Sequence, residues 1–464
     1  GWFALRSIIL SGGITLIIND LKYAGLAGLI FLILLLAGFG LCLYAGIQSG
    51  LHSQKWQMRL FEIRNSVAVR EEDASPFWAW LPLGGISLIL VLFALLLYPG
   101  KFVNVDDAFF HAEQGSSKLD EFKYEEAMDE FKISSAIWQD SVMAHANLGL
   151  GYTALDQYDQ ALSEFQAALE IAPESVIARF LVGLLKTYQG RFAEAIEEMK
   201  IVVEQNPQFG FAHAALANLY YQVDENELSE EELQLALKYS EADAQANSMI
   251  ATYYFQKRDF DKAEEYELKA IKIGNQPNDY LYLARLYLYQ NKIEQAEKAV
   301  NEAENLGTDP VDIYSAKSNL AQYKGDLEGS ETVLLAALEE YPNNSDLLSD
   351  LSFTYFHLGR YDDAIRTAES AVKVNPYNSI GYIELAYAYQ KQGRLEEVLS
   401  AAQKGVEFLP KYDRSHYILG LCYMESGMKE DAIREFELFL DYYIDRPYVR
   451  EDKARVEEYL EQLR

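Results

Sequence analysis

Cysteine is almost absent from this sequence, which contains two cysteines in 464 residues. Cys42 lies in an apolar run and Cys422 lies near the end of the chain, so the sequence supports neither a disulfide framework nor a cysteine-based zinc site. Histidine is also scarce, with six residues and no HExxH or other paired spacing. These shortages exclude the disulfide-stabilised and the zinc-binding classes of protein.

Positive charge is the next shortage. The chain has 40 Lys and Arg against 71 Asp and Glu, a net charge of −31. Residues 1–104 hold seven Lys/Arg and five Asp/Glu, so the remainder carries −33. A nucleic-acid partner requires a basic surface for its phosphates, and we expect none. The acidic surface favours solubility, and attraction of a basic protein partner is the alternative.

Motifs for catalysis and phosphate binding are missing as well. The sequence has no GxxxxGK[ST] or GxGxxG phosphate loop and no GxSxG nucleophile elbow. Acidic pairs such as Glu197-Glu198 and Glu264-Glu265 fall in predicted helices, where such pairs usually form a solvated face. We therefore predict that the chain is not an enzyme and has no catalytic residue, cofactor, metal site or small-molecule substrate.

What the sequence does contain is a pattern that repeats every 34 residues, with one step of 33. A small residue marks the eighth position of ten units: Gly115, Gly149, Gly183, Ala217, Ala251, Ala284, Ser318, Ser352, Ala386 and Gly420. A second small column lies twelve residues further on: Ala127, Ala161, Ala195, Ser229, Ala263, Ala296, Ser330, Ala364, Val398 and Ala432. Small residues let two helices approach closely, so each unit is predicted to be a helix, a turn and a second helix.

The second unit is the clearest. It contains Asn147-Leu148-Gly149-Leu150-Gly151-Tyr152, then Tyr158 to Phe165, and it closes on Ala168 and Pro173. This pattern resembles the tetratricopeptide repeat. The resemblance implies an all-α fold, a superhelical solenoid of about ten repeats over residues 105–443. A charged helix over residues 446–464 is predicted to cap the free end.

The resemblance also implies a binding groove. In this family the first helix of each unit lines the concave surface, chiefly with its second, fifth, ninth and twelfth positions. Those positions give an apolar and aromatic set with amides that can hold a bound backbone: Phe180 and Leu184; Phe211, Asn218 and Tyr221; Phe255; Leu281, Arg285 and Leu288; Asn319 and Gln322; Phe353 and Phe356; Tyr387; Tyr417 and Leu421. The lysines with which chaperone-binding members hold an acidic C-terminal peptide are replaced here, so we expect no such ligand.

Two uncharged runs precede the repeats. Residues 23–47 and 77–100 have the length and apolar character of transmembrane helices. Residues 1–22 are predicted to be a short interfacial segment. The loop of residues 48–76 carries Lys55, Arg59, Arg64 and Arg70, which predicts that this loop is cytoplasmic. The repeats would then be extracytoplasmic, in the periplasm, on a multi-pass protein of a bacterial inner membrane.

The sequence therefore predicts a membrane-anchored scaffold whose repeats bind protein partners, as an assembly or accessory subunit of a membrane complex. Two alternatives remain open. One resembles the repeat-bearing subunit of cytochrome c maturation systems, which also has a two-helix anchor and holds apo-cytochrome segments. The other is the regulatory arm of an enzyme complex that acts on envelope polymers.

Overall fold

The computed structural model describes residues 105–139 and 141–464, which contain twenty-one α-helices and no strand. In chain order they are α1 (Val105–Asp120), α2 (Tyr124–Ile137), α3 (Val142–Ala154), α4 (Tyr158–Ile171), α5 (Val176–Tyr188), α6 (Phe192–Gln205), α7 (Gly210–Gln222), α8 (Asn226–Tyr239), α9 (Ala244–Gln256), α10 (Phe260–Gly274), α11 (Pro277–Tyr289), α12 (Ile293–Asn305), α13 (Pro310–Lys324), α14 (Leu327–Glu340), α15 (Ser345–His357), α16 (Tyr361–Val374), α17 (Ser379–Lys391), α18 (Leu395–Phe408), α19 (Asp413–Glu425), α20 (Lys429–Tyr442) and α21 (Arg450–Leu463). Helices α1 to α20 form one helix pair per predicted repeat, so the all-helical repeat solenoid is confirmed.

The chain divides into two compact units. The larger unit contains Tyr152–Gln166 and Val176–Arg464, and the smaller one contains the described residues up to Gly151 together with Ala167–Ser175. In the smaller unit, a Cβ on Gly115 would lie 2.4 Å from the Phe131 ring. Phe131 is fully buried, so α1 and α2 pack where the small residue allows a close approach.

One residue per repeat turns the chain between the two helices in the left-handed conformation. Glycine, which adopts positive φ without steric cost, supplies it in five repeats, and φ is +78° at Gly325, for example. The other five repeats make the same turn with a residue that has a side chain. The ten residues are Phe122, Asp156, Gly190, Asp224, Arg258, Asn291, Gly325, Gly359, Gly393 and Gly427.

The two small columns meet at the helix crossings of the larger unit. The Ser352 hydroxyl donates to the Ala364 carbonyl oxygen over 2.8 Å, and the Ser229 hydroxyl donates to the Ala217 carbonyl oxygen over 2.8 Å. Each of these bonds joins the eighth position of a repeat to the position twelve residues later. Where the pattern has serine in place of alanine, the buried hydroxyl therefore finds a backbone carbonyl acceptor within the helix crossing.

Histidines at the fourth position of a repeat link its first helix to its second helix. The His213 Nδ1 atom lies 2.6 Å from a Glu232 carboxylate oxygen, and its Nε2 lies 3.1 Å from the Pro207 carbonyl oxygen. His416 repeats the arrangement, with Nδ1 2.8 Å from Glu435 and Nε2 2.8 Å from the carbonyl of Pro410. These side chains therefore have a structural role.

Within the larger unit, early repeats contact late ones. The Ser345 hydroxyl donates to the Asp156 carboxylate over 2.9 Å. The Lys411 ammonium lies 2.6 Å from the Asp224 carboxylate, 187 residues away in sequence, and the Arg258 guanidinium donates to the Asp441 carbonyl oxygen. The solenoid of this unit therefore returns on itself.

Among residues 105–139 and 141–464, no helix has both the length and the apolar character that a bilayer span requires. The predicted spans 23–47 and 77–100, the segment 1–22 and the loop 48–76 lie outside the described residues. Those four interpretations stay predictions.

A candidate docking groove

The sixteen residues predicted to line the groove fall into three classes of exposure. Arg285 is exposed. Seven are half-buried: Leu184, Tyr221, Phe255, Leu281, Asn319, Phe353 and Phe356. Eight are buried: Phe180, Phe211, Asn218, Leu288, Gln322, Tyr387, Tyr417 and Leu421. Half of the set therefore presents little surface to a partner in this conformation.

Phe180 and Phe211 show why. Their ring centroids lie 5.0 Å apart, and the Phe209 ring lies 5.4 Å from Phe180. Both side chains are at most 1% exposed and belong to the core shared by α5, α6 and α7. Changing them would test the packing of the solenoid. Their role in binding a partner stays a prediction.

Six of the predicted residues line an open cavity in the larger unit: Leu281, Arg285, Leu288, Asn319, Gln322 and Phe353. The cavity has two lobes of about 380 Å³ and about 350 Å³, which share Arg285 and Asn319. Most of its lining residues come from the first helices of repeats six to ten, α11, α13, α15, α17 and α19. Six residues picked by the first-helix rule, from repeats six to eight, therefore face one open cavity, and the binding of a partner there stays a prediction.

Carboxyl groups and the exposed Arg285 together give this cavity its electrostatic character. Asp346, Asp350 and Asp312 line it. Burial, together with the smaller effects of nearby Asp156 and Asp350, raises the pKa of Asp346 to about 7. Burial also raises the pKa of Asp350 to about 7 and that of Asp312 to about 6. Asp346 is open to the cavity itself, but the surrounding protein limits how well water stabilises its charge.

Two buried ion pairs support the cavity wall. The Arg414 guanidinium forms a two-pronged pair with Glu384, with distances of 2.5 Å and 3.1 Å. It also lies 5.0 Å from the Phe353 ring and 4.4 Å from the Tyr387 ring, measured to the centroids. Both members of the pair are nearly inaccessible to solvent. Arg414 therefore holds aromatic residues of two neighbouring repeats in place.

The second pair joins Arg446 to Asp413, with distances of 2.6 Å and 2.7 Å. Arg446 belongs to the segment between α20 and α21, and this segment reaches the cavity. The last helix begins at Arg450, four residues after the start of the predicted cap at residue 446. The intervening residues lie against the groove.

Several cavity residues were not among the sequence-predicted sixteen. Asp312 and Asp346 occupy the second position of their repeats, which the first-helix rule already includes, so that rule was sufficient to find them. Asp350 is at the sixth position, outside the rule, and faces the cavity with Ser315, whose hydroxyl donates to it over 2.5 Å. Arg446 and Tyr448 lie outside the repeats, and no repeat pattern points to them.

The raised pKa values predict that stability depends on pH. Between the usual carboxyl pKa of 3.8 and about 7, folded Asp346 and Asp350 hold protons that the unfolded chain releases. The free energy of unfolding should therefore fall as pH rises through this window, with no further loss from these groups above it. In Asp346→Asn/Asp350→Asn, the unfolding midpoint should fall less from pH 5 to pH 8 than in the unmodified chain. Glu302→Gln/Glu339→Gln, at two exposed positions, removes the same charge and should keep the original slope, and equal slopes in all three proteins would contradict the assignment.

Comparison with known families identifies the repeats. Models described as "Tetratricopeptide repeat" match residues 142–175, 214–279, 323–380, 354–411 and 414–443. These matches confirm the repeat family indicated by the sequence. No curated protein matches the chain in sequence.

Three solved structures align with most of this chain, at low sequence identity and low TM-score. Yeast Tom70 is 14% identical, covers 78% of this chain with 96% of its own, and has a TM-score of 0.39. The TPR domain of P58(IPK) is 18% identical, with coverage of 77% and 99% and a TM-score of 0.24. A chain of the APC/C hetero-tetramer Cut9-Hcn1 is 12% identical, with coverage of 80% and 98% and a TM-score of 0.37. Likeness this remote says nothing about the function of this chain.

Proposed function

Since this chain is built from tetratricopeptide repeats, we propose that it is a docking scaffold that holds protein partners in the cavity formed by the first helices of repeats six to ten. The observation that carries the proposal is the cavity itself, where Arg285, Asn319 and Phe353 meet although they come from three different repeats. Repeat solenoids bind partners along such a surface by adding many small contacts.

The side chains of the cavity suit an extended protein segment. Asn319 offers an amide donor and acceptor to a bound backbone, and the aromatic rings of Phe353 and Tyr289 offer flat apolar contacts. Asp312, Asp346 and Asp350 favour basic side chains at the same place. A partner whose binding segment combines apolar and basic residues fits these walls.

Binding is tested by changing two cavity residues that are not themselves buried, Arg285 and Asn319. Arg285→Ala with Asn319→Ala should weaken co-purification of the native partner at least about tenfold, because both side chains line the groove and would contact the partner there. Glu339→Lys, on the second helix α14, is the matched control because Glu339 is exposed. If Glu339→Lys abolishes binding and the cavity variant does not, the partner docks on the outer helices and the groove proposal is wrong.

We further propose that residues 23–47 and 77–100 anchor this scaffold in a bacterial inner membrane, with the repeats outside the cytoplasm. What supports this is the uncharged length of the two runs and the four Lys/Arg between them. Such an anchor would keep the groove beside the subunits of a membrane complex.

Labelling with a membrane-impermeant thiol reagent in intact cells tests this topology. With Cys42 and Cys422 replaced by alanine, a cysteine at Ser75 should stay unlabelled and one at exposed Glu225 should react. The reverse pattern would place the repeats in the cytoplasm.

A further inference from the structure

The loop between the last two helices occupies part of the proposed docking cavity. This C-terminal loop, Tyr443–Val449, follows α20 and precedes α21. Its residues Arg446, Pro447, Tyr448 and Val449 line the 380 Å³ lobe together with the repeat helices. The groove therefore already holds a segment of its own chain.

The first half of the loop is an anchor. Besides the Arg446 pair, the backbone N–H of Ile444 donates to a carboxylate oxygen of Asp413 over 3.1 Å. Asp413 is 1% exposed and Arg446 is 7% exposed, so separating the pair would leave a charge buried without its partner. The anchor holds the loop at the start of α19.

The second half of the loop is a tip that lies in the groove. The Tyr448 ring lies 4.3 Å from the His357 ring and 5.6 Å from the Phe353 ring, measured between centroids. Its hydroxyl donates to the Gln322 carbonyl oxygen over 3.1 Å. Phe353 and Gln322 both belong to the surface that the repeat positions predicted.

The tip is held there against a backbone preference. Tyr448 has φ of +66°, in the left-handed region, which is unfavourable for a bulky side chain. This strain would be relieved if the tip left the groove. The contacts of the ring and hydroxyl therefore compensate for the strain, and the tip is easier to release than the anchor.

The cavity also has two carboxyl groups that form no ion pair with the loop. Asp346 and Asp350 line the same lobe as Tyr448. The Asn378 amide donates to Asp346 and the Ser315 hydroxyl donates to Asp350. Among residues 105–139 and 141–464, no lysine or arginine forms an ion pair with either carboxyl. A ligand that replaced the tip would gain most from a basic group near its aromatic residue.

We propose that Tyr448 is an intramolecular ligand of the docking groove, displaced by a partner segment that carries an aromatic residue beside a basic one. This inference rests on the proposed docking function. The aromatic ring of the partner takes the place of Tyr448 between Phe353 and His357, and its basic side chain reaches Asp346 and Asp350. The loop thereby keeps the groove closed to weaker or unrelated segments.

The probe is a fluorescent peptide with the sequence Ile444–Arg450, which supplies an aromatic residue and two arginines, titrated into the full chain. Tyr448→Ala frees the groove but keeps the Arg446 anchor, so it should bind the peptide at least about tenfold more tightly than the unmodified chain, whose groove is mostly filled. Tyr443→Ala is the matched control. It removes a ring from the same loop that packs 5.7 Å from Phe439, away from the cavity, and should bind like the unmodified chain.

Two further variants locate the binding. Adding Phe353→Ala, or Asp346→Asn with Asp350→Asn, to Tyr448→Ala should remove most of the gained affinity. A probe peptide with alanine in place of its tyrosine should not bind. Equal affinity of Tyr448→Ala and the unmodified chain, or no binding to Tyr448→Ala at millimolar peptide, overturns the inference. If the peptide does not bind Tyr448→Ala, while Arg285→Ala with Asn319→Ala still weakens co-purification of the native partner, the docking function stands and only the proposed role of the loop is wrong.

Discussion

Replacing Glu384 with alanine should destabilise the fold by about 3–5 kcal/mol, because it leaves Arg414 buried and unpaired. Glu384 is 0% exposed and Arg414 is 5% exposed, so the folded chain gives this pair almost no contact with water. Arg414 also lies against Phe353 and Tyr387, so the damage would extend to the cavity wall. Denaturant unfolding of the full chain, followed by helical circular dichroism, measures the loss.

The double substitution Glu384→Leu with Arg414→Met distinguishes the free-energy cost of an unpaired buried charge from the net stabilisation by the ion pair. Because replacing both members of a buried pair with apolar residues of similar volume is often neutral, this protein should be within about 1–2 kcal/mol of the original. Equal stability of Glu384→Ala and the unmodified chain would mean that water reaches Arg414 and that Arg414 is less buried in the cavity wall than its 5% exposure indicates.

Replacing Gly420 with alanine should destabilise the tenth repeat. A Cβ at this position would lie 2.5 Å from two atoms of the Phe436 ring, and that ring is fully buried. Overpacking of this kind costs about 1–3 kcal/mol, which outweighs the gain of up to about 1 kcal/mol from alanine in a helix. The midpoint of thermal unfolding should fall.

Gly183→Ala is the matched control for that substitution. Its Cβ would meet the Met199 side-chain terminus at 2.8 Å, and a flexible methionine end can move aside. We expect this variant to be neutral or slightly more stable. If both variants unfold like the unmodified chain, the close helix crossing at the eighth position is not as tight as its geometry indicates.

The helix pairs were predictable because each repeat has small residues at the two positions where its helices cross. The turns show where this reasoning stops. Glycine at position 325 points to a left-handed residue, whereas nothing in the identity of Arg258 does, although it has φ of +62°. The tertiary pairing of the two helices imposes the turn there, and only the period of the sequence reveals it. Arg258 then uses its side chain to reach the carbonyl of Asp441.

The cavity was predictable only in part. The rule for first helices found Arg285 and Asn319 because their position in the repeat fixes which way they face. It placed Phe180 and Phe211 in the groove, whereas the structure has them packed on each other in the core. The bond from Tyr448 to Gln322 joins residues 126 positions apart. No local pattern encodes such a contact, so the occupation of the groove by the C-terminal loop became visible only in three dimensions.

The central claim is that partners dock inside the groove of repeats six to ten. Site-specific photo-cross-linking tests it most directly, with a photoreactive amino acid placed at Asn319 in the cavity or at Glu339 on the outer helix α14 of the full chain in cells. We expect one dominant cross-linked partner from position 319 and none from position 339. Cross-links from position 339 alone would show that partners bind the outer surface, and the groove would then have no part in docking.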